Sequence, residues 1–100
     1  MSFYDHSRRS QEQRAYTQSA IIFARTKTAV QEWIDEQRLI GRLVEGIDMQ
    51  LVKGLLEDRI RVKIRATDNR FRAQTFGLRK LPVTPGIIRF IQDMFPGKTL

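Results

Sequence analysis

The chain has 100 residues, 41% of them apolar, and carries 18 Lys and Arg against 11 Asp and Glu for a net charge of +7. That length suits a single domain, able to bury roughly 60 to 70% of its unfolded surface without covalent staples. The lack of cysteine excludes a disulfide framework, a thiolate metal site and a thiol nucleophile.

The first twelve residues, MSFYDHSRRSQE, are polar and aperiodic, and are expected to form a flexible basic arm ahead of one α+β domain over residues 13–100. They also lack the apolar core of a signal peptide, and no apolar run approaches the roughly 20 residues of a membrane span, so a cytoplasmic location away from membranes is expected. From Gln13 the apolar positions Tyr16, Ala20, Phe23, Ala24, Val30, Trp33, Ile34 and Ile40 recur at helical intervals. The pattern fits one long helix, or two broken near Thr26 or Thr28, either of which would cap TAVQEWIDEQRLI; the break is the favoured reading. Gly41 and Gly46 then punctuate the chain. Asp48 can cap a short helix, MQLVKGLLED, with Leu51, Val52, Leu55 and Leu56 on one face.

Residues 59–76, RIRVKIRATDNRFRAQTF, alternate basic and apolar side chains in the manner of a hairpin. With Asp68-Asn69 as a two-residue turn, Ala66 opposes Phe71, Ile64 opposes Ala73 and Val62 opposes Thr75 on one face. Arg65 then opposes Arg72, Lys63 opposes Gln74 and Arg61 opposes Phe76 on the other. After the linker GLRKLPV, Thr84 and Pro85 signal the start of a last helix, buried through Ile87, Ile88, Ile91, Met94 and Phe95 and stopped by Pro96-Gly97. The expected fold class is thus α+β: a small helical domain with one antiparallel β-hairpin and a C-terminal helix. Its element order resembles that of a winged helix-turn-helix, and no motif names a family.

Residues 59–80 hold eight basic residues, Arg59, Arg61, Lys63, Arg65, Arg70, Arg72, Arg79 and Lys80, against Asp68 alone, so the rest of the chain nets zero. Two arginines directly opposed destabilise a bare hairpin by about some tenths of a kcal/mol, which an anionic partner would offset. Arg outnumbers Lys in that segment six to two, and its planar fork suits phosphate or guanine. These eight residues are therefore the candidate nucleic-acid-binding site, with DNA or RNA as the partner and a homodimer as the expected assembly. Arg8, Arg9 and Arg14 of the arm can add backbone contacts, and Phe76 can stack on a base or pack under a helix. The rival reading is a non-enzymatic adaptor or inhibitor, such as a phage or plasmid factor, docking its basic ribbon on an acidic protein surface. It draws on the scarcity of base-reading residues in MQLVKGLLED, where only Gln50 and Lys53 qualify.

Catalysis finds no support. His6 has no second histidine or cysteine with which to share a metal, and Gly97-Lys98-Thr99 lacks the strand and following helix of a phosphate loop. Glu32, Asp35, Glu36, Glu57 and Asp58 read as solvated faces. No cofactor and no metal are expected.

Overall fold

The structure, a computed structural model, describes residues 3–80 and 82–95, with side chains from residue 18 onward. Helix α1 runs unbroken over Phe3–Leu39, past both threonines expected to interrupt it. The spacing gives the reason. Ile22, Phe23, Thr26, Val30, Trp33, Ile34 and Gln37 form one seam that stays in helical phase through the supposed break. Thr26 belongs to that seam and is buried, while Thr28 is exposed, so neither is placed to cap a second helix.

Helix α1 ends in a Schellman motif. Arg42 N–H donates to the Gln37 carbonyl at 2.9 Å and Gly41 N–H to the Arg38 carbonyl at 3.1 Å, with Gly41 at φ 86°. The side chains repeat the closure, since Arg42 Nη1 donates to Gln37 Oε1 at 2.8 Å.

The expected third helix is strand β1, Ile47–Val52. Its sequence IDMQLV alternates, and Ile47, Met49 and Leu51 join the core cluster while Asp48 and Gln50 are exposed. Strand β2, Arg59–Arg65, supplies a hydrogen-bonding partner on that side, pairing antiparallel from Ile47 with Ile64 to Val52 with Arg59. A strand satisfies those backbone groups while burying Met49 and half-burying Ile47 and Leu51. The remaining six residues, Lys53–Asp58, form the connecting loop, so Leu55 and Leu56 lie outside any helix. With a strand in place of that helix, the winged-helix element order does not occur among the described residues.

Strand β3, Phe71–Gly77, pairs antiparallel with β2 to complete a sheet of order β1-β2-β3. The register differs by one residue from the sequence expectation: Ile64 opposes Arg72, Lys63 opposes Ala73, Arg61 opposes Thr75 and Ile60 opposes Phe76. The turn is the cause. Asn69 N–H donates to the Ala66 carbonyl at 3.0 Å and Ala66 N–H to the Arg70 carbonyl at 2.9 Å, which closes a three-residue loop, Thr67-Asp68-Asn69. Only Asn69 takes a positive φ, 67°, as expected for a turn followed by one left-handed residue. A one-residue slip moves every β3 side chain to the opposite face.

Helix α2, Thr84–Met94, carries Pro85 in its first turn and buries Ile87, Phe90, Ile91 and Met94. Val83 occupies the N-cap position with no side-chain cap bond, so Thr84 is the first helical residue rather than the cap. Two guanidinium groups close the other end: Arg42 Nη2 donates to the Phe95 carbonyl at 2.9 Å and Arg70 Nη1 to the Met94 carbonyl at 2.9 Å. Both satisfy carbonyls that a helix terminus leaves free, at the negative end of its dipole.

Both helices lie on one face of the sheet, α1 against β1 and α2 against β2 and β3. Ile60, Val62 and Ile64 of the central strand, all fully buried, meet Ile87, Ile91, Val30 and Val44 in one core. The α+β class expected from the sequence is the one observed.

Candidate nucleic-acid interface

Because α1 and α2 occupy one side of the sheet, the alternate residues of β2 all point to the other. Arg59, Arg61, Lys63 and Arg65 form a row down the middle of that open face, flanked by Asp48, Gln50 and Val52 of β1 and by Phe71, Ala73 and Thr75 of β3. Arg59 and Arg65 are exposed, and Arg61 and Lys63 are half-buried. Asp48 stands opposite Lys63 in register, yet none of Arg59, Arg61 and Lys63 forms an ion pair with a described carboxylate. Arg65 lies over the Phe71 ring, 5.6 Å from its centroid, and Phe71 is 54% exposed.

The other four candidate residues are placed elsewhere. Arg70 donates to Asp68 Oδ2 at 2.7 Å as well as to the end of α2, and is held against the Phe95 ring, 6.0 Å from its centroid. Arg72 lies on the helix side of the sheet, over the Phe90 ring at 5.1 Å. It is not opposite Arg65, so the expected like-charge pair does not exist. Arg79 and Lys80 are exposed in the turn after β3, where Arg79 N–H donates to Glu57 Oε2 at 2.8 Å. Phe76 is on the core face, edge to face with Phe90 at 5.9 Å and 65°, so it packs under a helix. Arg8, Arg9, Arg14 and His6 lie outside the residues whose side chains are described.

One carboxyl has a displaced titration. The hydrogen bond from the Arg70 side chain, reinforced by the Arg70 backbone N–H, holds Asp68 below the ordinary carboxylate range.

Sequence reasoning missed the β1–β2 loop. Leu55 is 106% and Leu56 86% exposed, and with Val52, Arg59, Arg61 and Thr75 they line a recess of about 420 Å³ on the open face. The base of this loop is fixed. Asp58 Oδ2 accepts from Ser19 Oγ of α1 at 2.6 Å, the Asp58 carbonyl accepts from Leu78 N–H at 3.0 Å, and Glu57 accepts from Arg79 N–H. Gly77 makes room for this last contact, since a Cβ there would overlap the Glu57 carboxylate. The available signal was the Gly54 that interrupts VKGLLED, which disfavours a helix interior by about 1 kcal/mol relative to alanine.

Among the described residues there is no group of three or more His, Cys, Asp or Glu able to hold a metal ion, and no helix long and apolar enough to cross a membrane. No family model, no curated protein and no solved structure matches this chain.

Proposed function

We propose that this protein binds nucleic acid through the open face of its sheet, with β2 lying along a phosphate backbone and acting by binding rather than catalysis. The observation that carries the reading is the uncovered row Arg59, Arg61, Lys63 and Arg65, three of which have no described carboxylate partner. From first to last the row extends about 20 Å at the rise of a strand, with successive cations about 7 Å apart, which equals the axial rise of about six nucleotides of one DNA strand. Gln50 and Thr75 on either side of Arg61 offer neutral hydrogen-bonding groups beside the charges, and Phe71 at the edge offers an aromatic surface on which a base can stack. Arg79 and Lys80 extend the positive field past the Arg59 end. The same reading takes the protein as a cytoplasmic homodimer, for which exposed Leu39, Ile40 and Leu43 supply apolar contact surface.

Titration of labelled duplex DNA, single-stranded DNA and RNA across a range of salt concentrations tests it. The expected result is an affinity that falls steeply and log-linearly with salt. Absent binding at low salt, or binding indifferent to salt, defeats the reading; retention of one acidic protein from nuclease-treated lysate in its place would favour an adaptor.

A further inference from the structure

The β1–β2 loop joins two features that seldom sit together: a pair of fully exposed leucines and a line of cations that starts at their base. Leu55 and Leu56 share their recess with Arg59 and Arg61, and Arg79 lines the other side of the loop. A surface that accepts this tip must be apolar inside and anionic at its rim. The loop is also pre-set for insertion, because Ser19, Leu78 and Arg79 hold its base at Asp58 and Glu57 and leave the tip bare.

Two surfaces have that chemistry, a stack of bases between phosphates and an anionic lipid layer, and the direction of β2 separates them. Beyond Arg59, the cations Arg61, Lys63 and Arg65 recede from the tip by about 7, 13 and 20 Å. A headgroup layer met end-on by the leucines would engage Arg59 and Arg61, and the outer two would stand beyond the screening length of about 8 Å. A polymer lying along the strand meets all four and reaches the leucines at its end.

We infer that Leu55 and Leu56 form an apolar wedge that enters a base step of a nucleic-acid duplex held along β2. The inference rests on the nucleic-acid reading above and adds a deformation to it: the phosphates on either side are held by Arg59 and Arg61, the bases between them part, and the duplex bends away from the inserted side chains. The wedge needs no sequence-specific hydrogen bonds. It favours steps that unstack easily, such as TA and CA.

The test uses a duplex carrying 2-aminopurine, whose fluorescence rises when its stacking is broken. Native protein is expected to raise the fluorescence and to bend the duplex in a transfer assay between end labels. Leu55→Ser with Leu56→Ser is expected to lose both signals while keeping the slope of affinity against salt and the thermal midpoint, since neither leucine contributes to the core. Salt-dependent binding by the native protein with no fluorescence rise removes the wedge and leaves the nucleic-acid reading standing. Loss of all binding by the native protein removes both. A native fluorescence rise that survives the serine pair also overturns the inference, as does co-sedimentation with phosphatidylserine vesicles that the serine pair abolishes while the duplex signals are absent.

Discussion

Ile64 and Arg72 face each other across β2 and β3, so a fully buried isoleucine and a guanidinium share the helix side of the sheet. Arg72 is nevertheless exposed, with its guanidinium over the Phe90 ring. The basic residues of the hairpin therefore divide into two sets, one on the open face and one bracing α2, and substitution separates them.

Changing Arg59, Arg61, Lys63 and Arg65 together to Gln is expected to leave the thermal midpoint unchanged or raised, because four like charges on one strand face are removed without disturbing the core. Loss of four phosphate contacts flattens the logarithmic salt dependence of duplex binding by roughly 3 to 4 units. Arg72→Gln behaves in the opposite sense. It costs about 0.5 to 1 kcal/mol of stability through the lost Phe90 contact and leaves the salt slope unchanged. Denaturant melts of both variants beside salt titrations decide the matter, and a large slope change in Arg72→Gln would contradict the assignment of faces.

Ile64→Ala deletes a fully buried side chain at the centre of the sheet. The expected loss is about 2 to 5 kcal/mol in urea unfolding. A loss much smaller than that would mean the β2 core face is less tightly packed than described.

Much of this arrangement was readable in advance, and the misses have definite causes. Helix α2 announced itself through Pro85 and the spacing of Ile87, Ile91 and Met94, and the buried face of β2 through Val62 and Ile64. Strand β1 did not, because IDMQLVKGLLED carries two periods at once: Ile47, Met49 and Leu51 alternate, while Leu51, Val52, Leu55 and Leu56 fit a helix. The choice fell to a distant partner, since β2 presents a free edge that only a strand can satisfy. The register was missed for a similar reason. Asp68-Asn69 suits a two-residue turn and a three-residue loop alike, and what favours the longer loop is the inward position it gives Phe76 against Phe90, a contact between strand and helix that local sequence does not reveal. The eight candidate site residues were grouped by the charge of segment 59–80, which cannot tell faces apart: the four on β2 share the open face, Arg72 lies on the helix side because the register is one residue from the expected one, and Arg70 is turned to the end of α2.

Two glycines with positive φ are expected to respond differently to alanine. Gly41, at φ 86°, has open space where a Cβ would go, and Gly41→Ala should cost only the backbone strain of about 1 kcal/mol. Gly46, at φ 71°, is tied to Arg65 by an N–H to carbonyl bond of 2.9 Å, and a Cβ there would overlap the Arg65 carbonyl. Gly46→Ala should therefore add loss of that bond to the strain, about 2 to 3 kcal/mol in all. Equal losses at the two sites, measured by thermal unfolding, would contradict this account.

Acid is expected to loosen the β2–β3 turn through Asp68. Its carboxyl titrates lower in the folded chain than in the unfolded one, so its contribution to stability is present above the unfolded value of about 4 and is lost as the pH falls through the folded value. Asp68→Asn should lower the thermal midpoint slightly at neutral pH and make its decline below about pH 4 shallower. Parallel pH profiles of the two proteins would show the sign, and a steeper acid decline in Asp68→Asn would reverse it.

The strand order β1-β2-β3, each strand beside its neighbour in the chain, bears on how fast the molecule can form. Each hairpin closes over only a short loop, so the sheet incurs little loop-closure entropy before its first contacts are made. The distant pairings come from the helices: Ser19 with Asp58 spans 39 residues and Arg42 with Phe95 spans 53. Refolding followed by stopped flow should accordingly be quick for a β-containing chain of this size, with the meander assembling on local contacts and the two helices docking onto its apolar side to complete the native state.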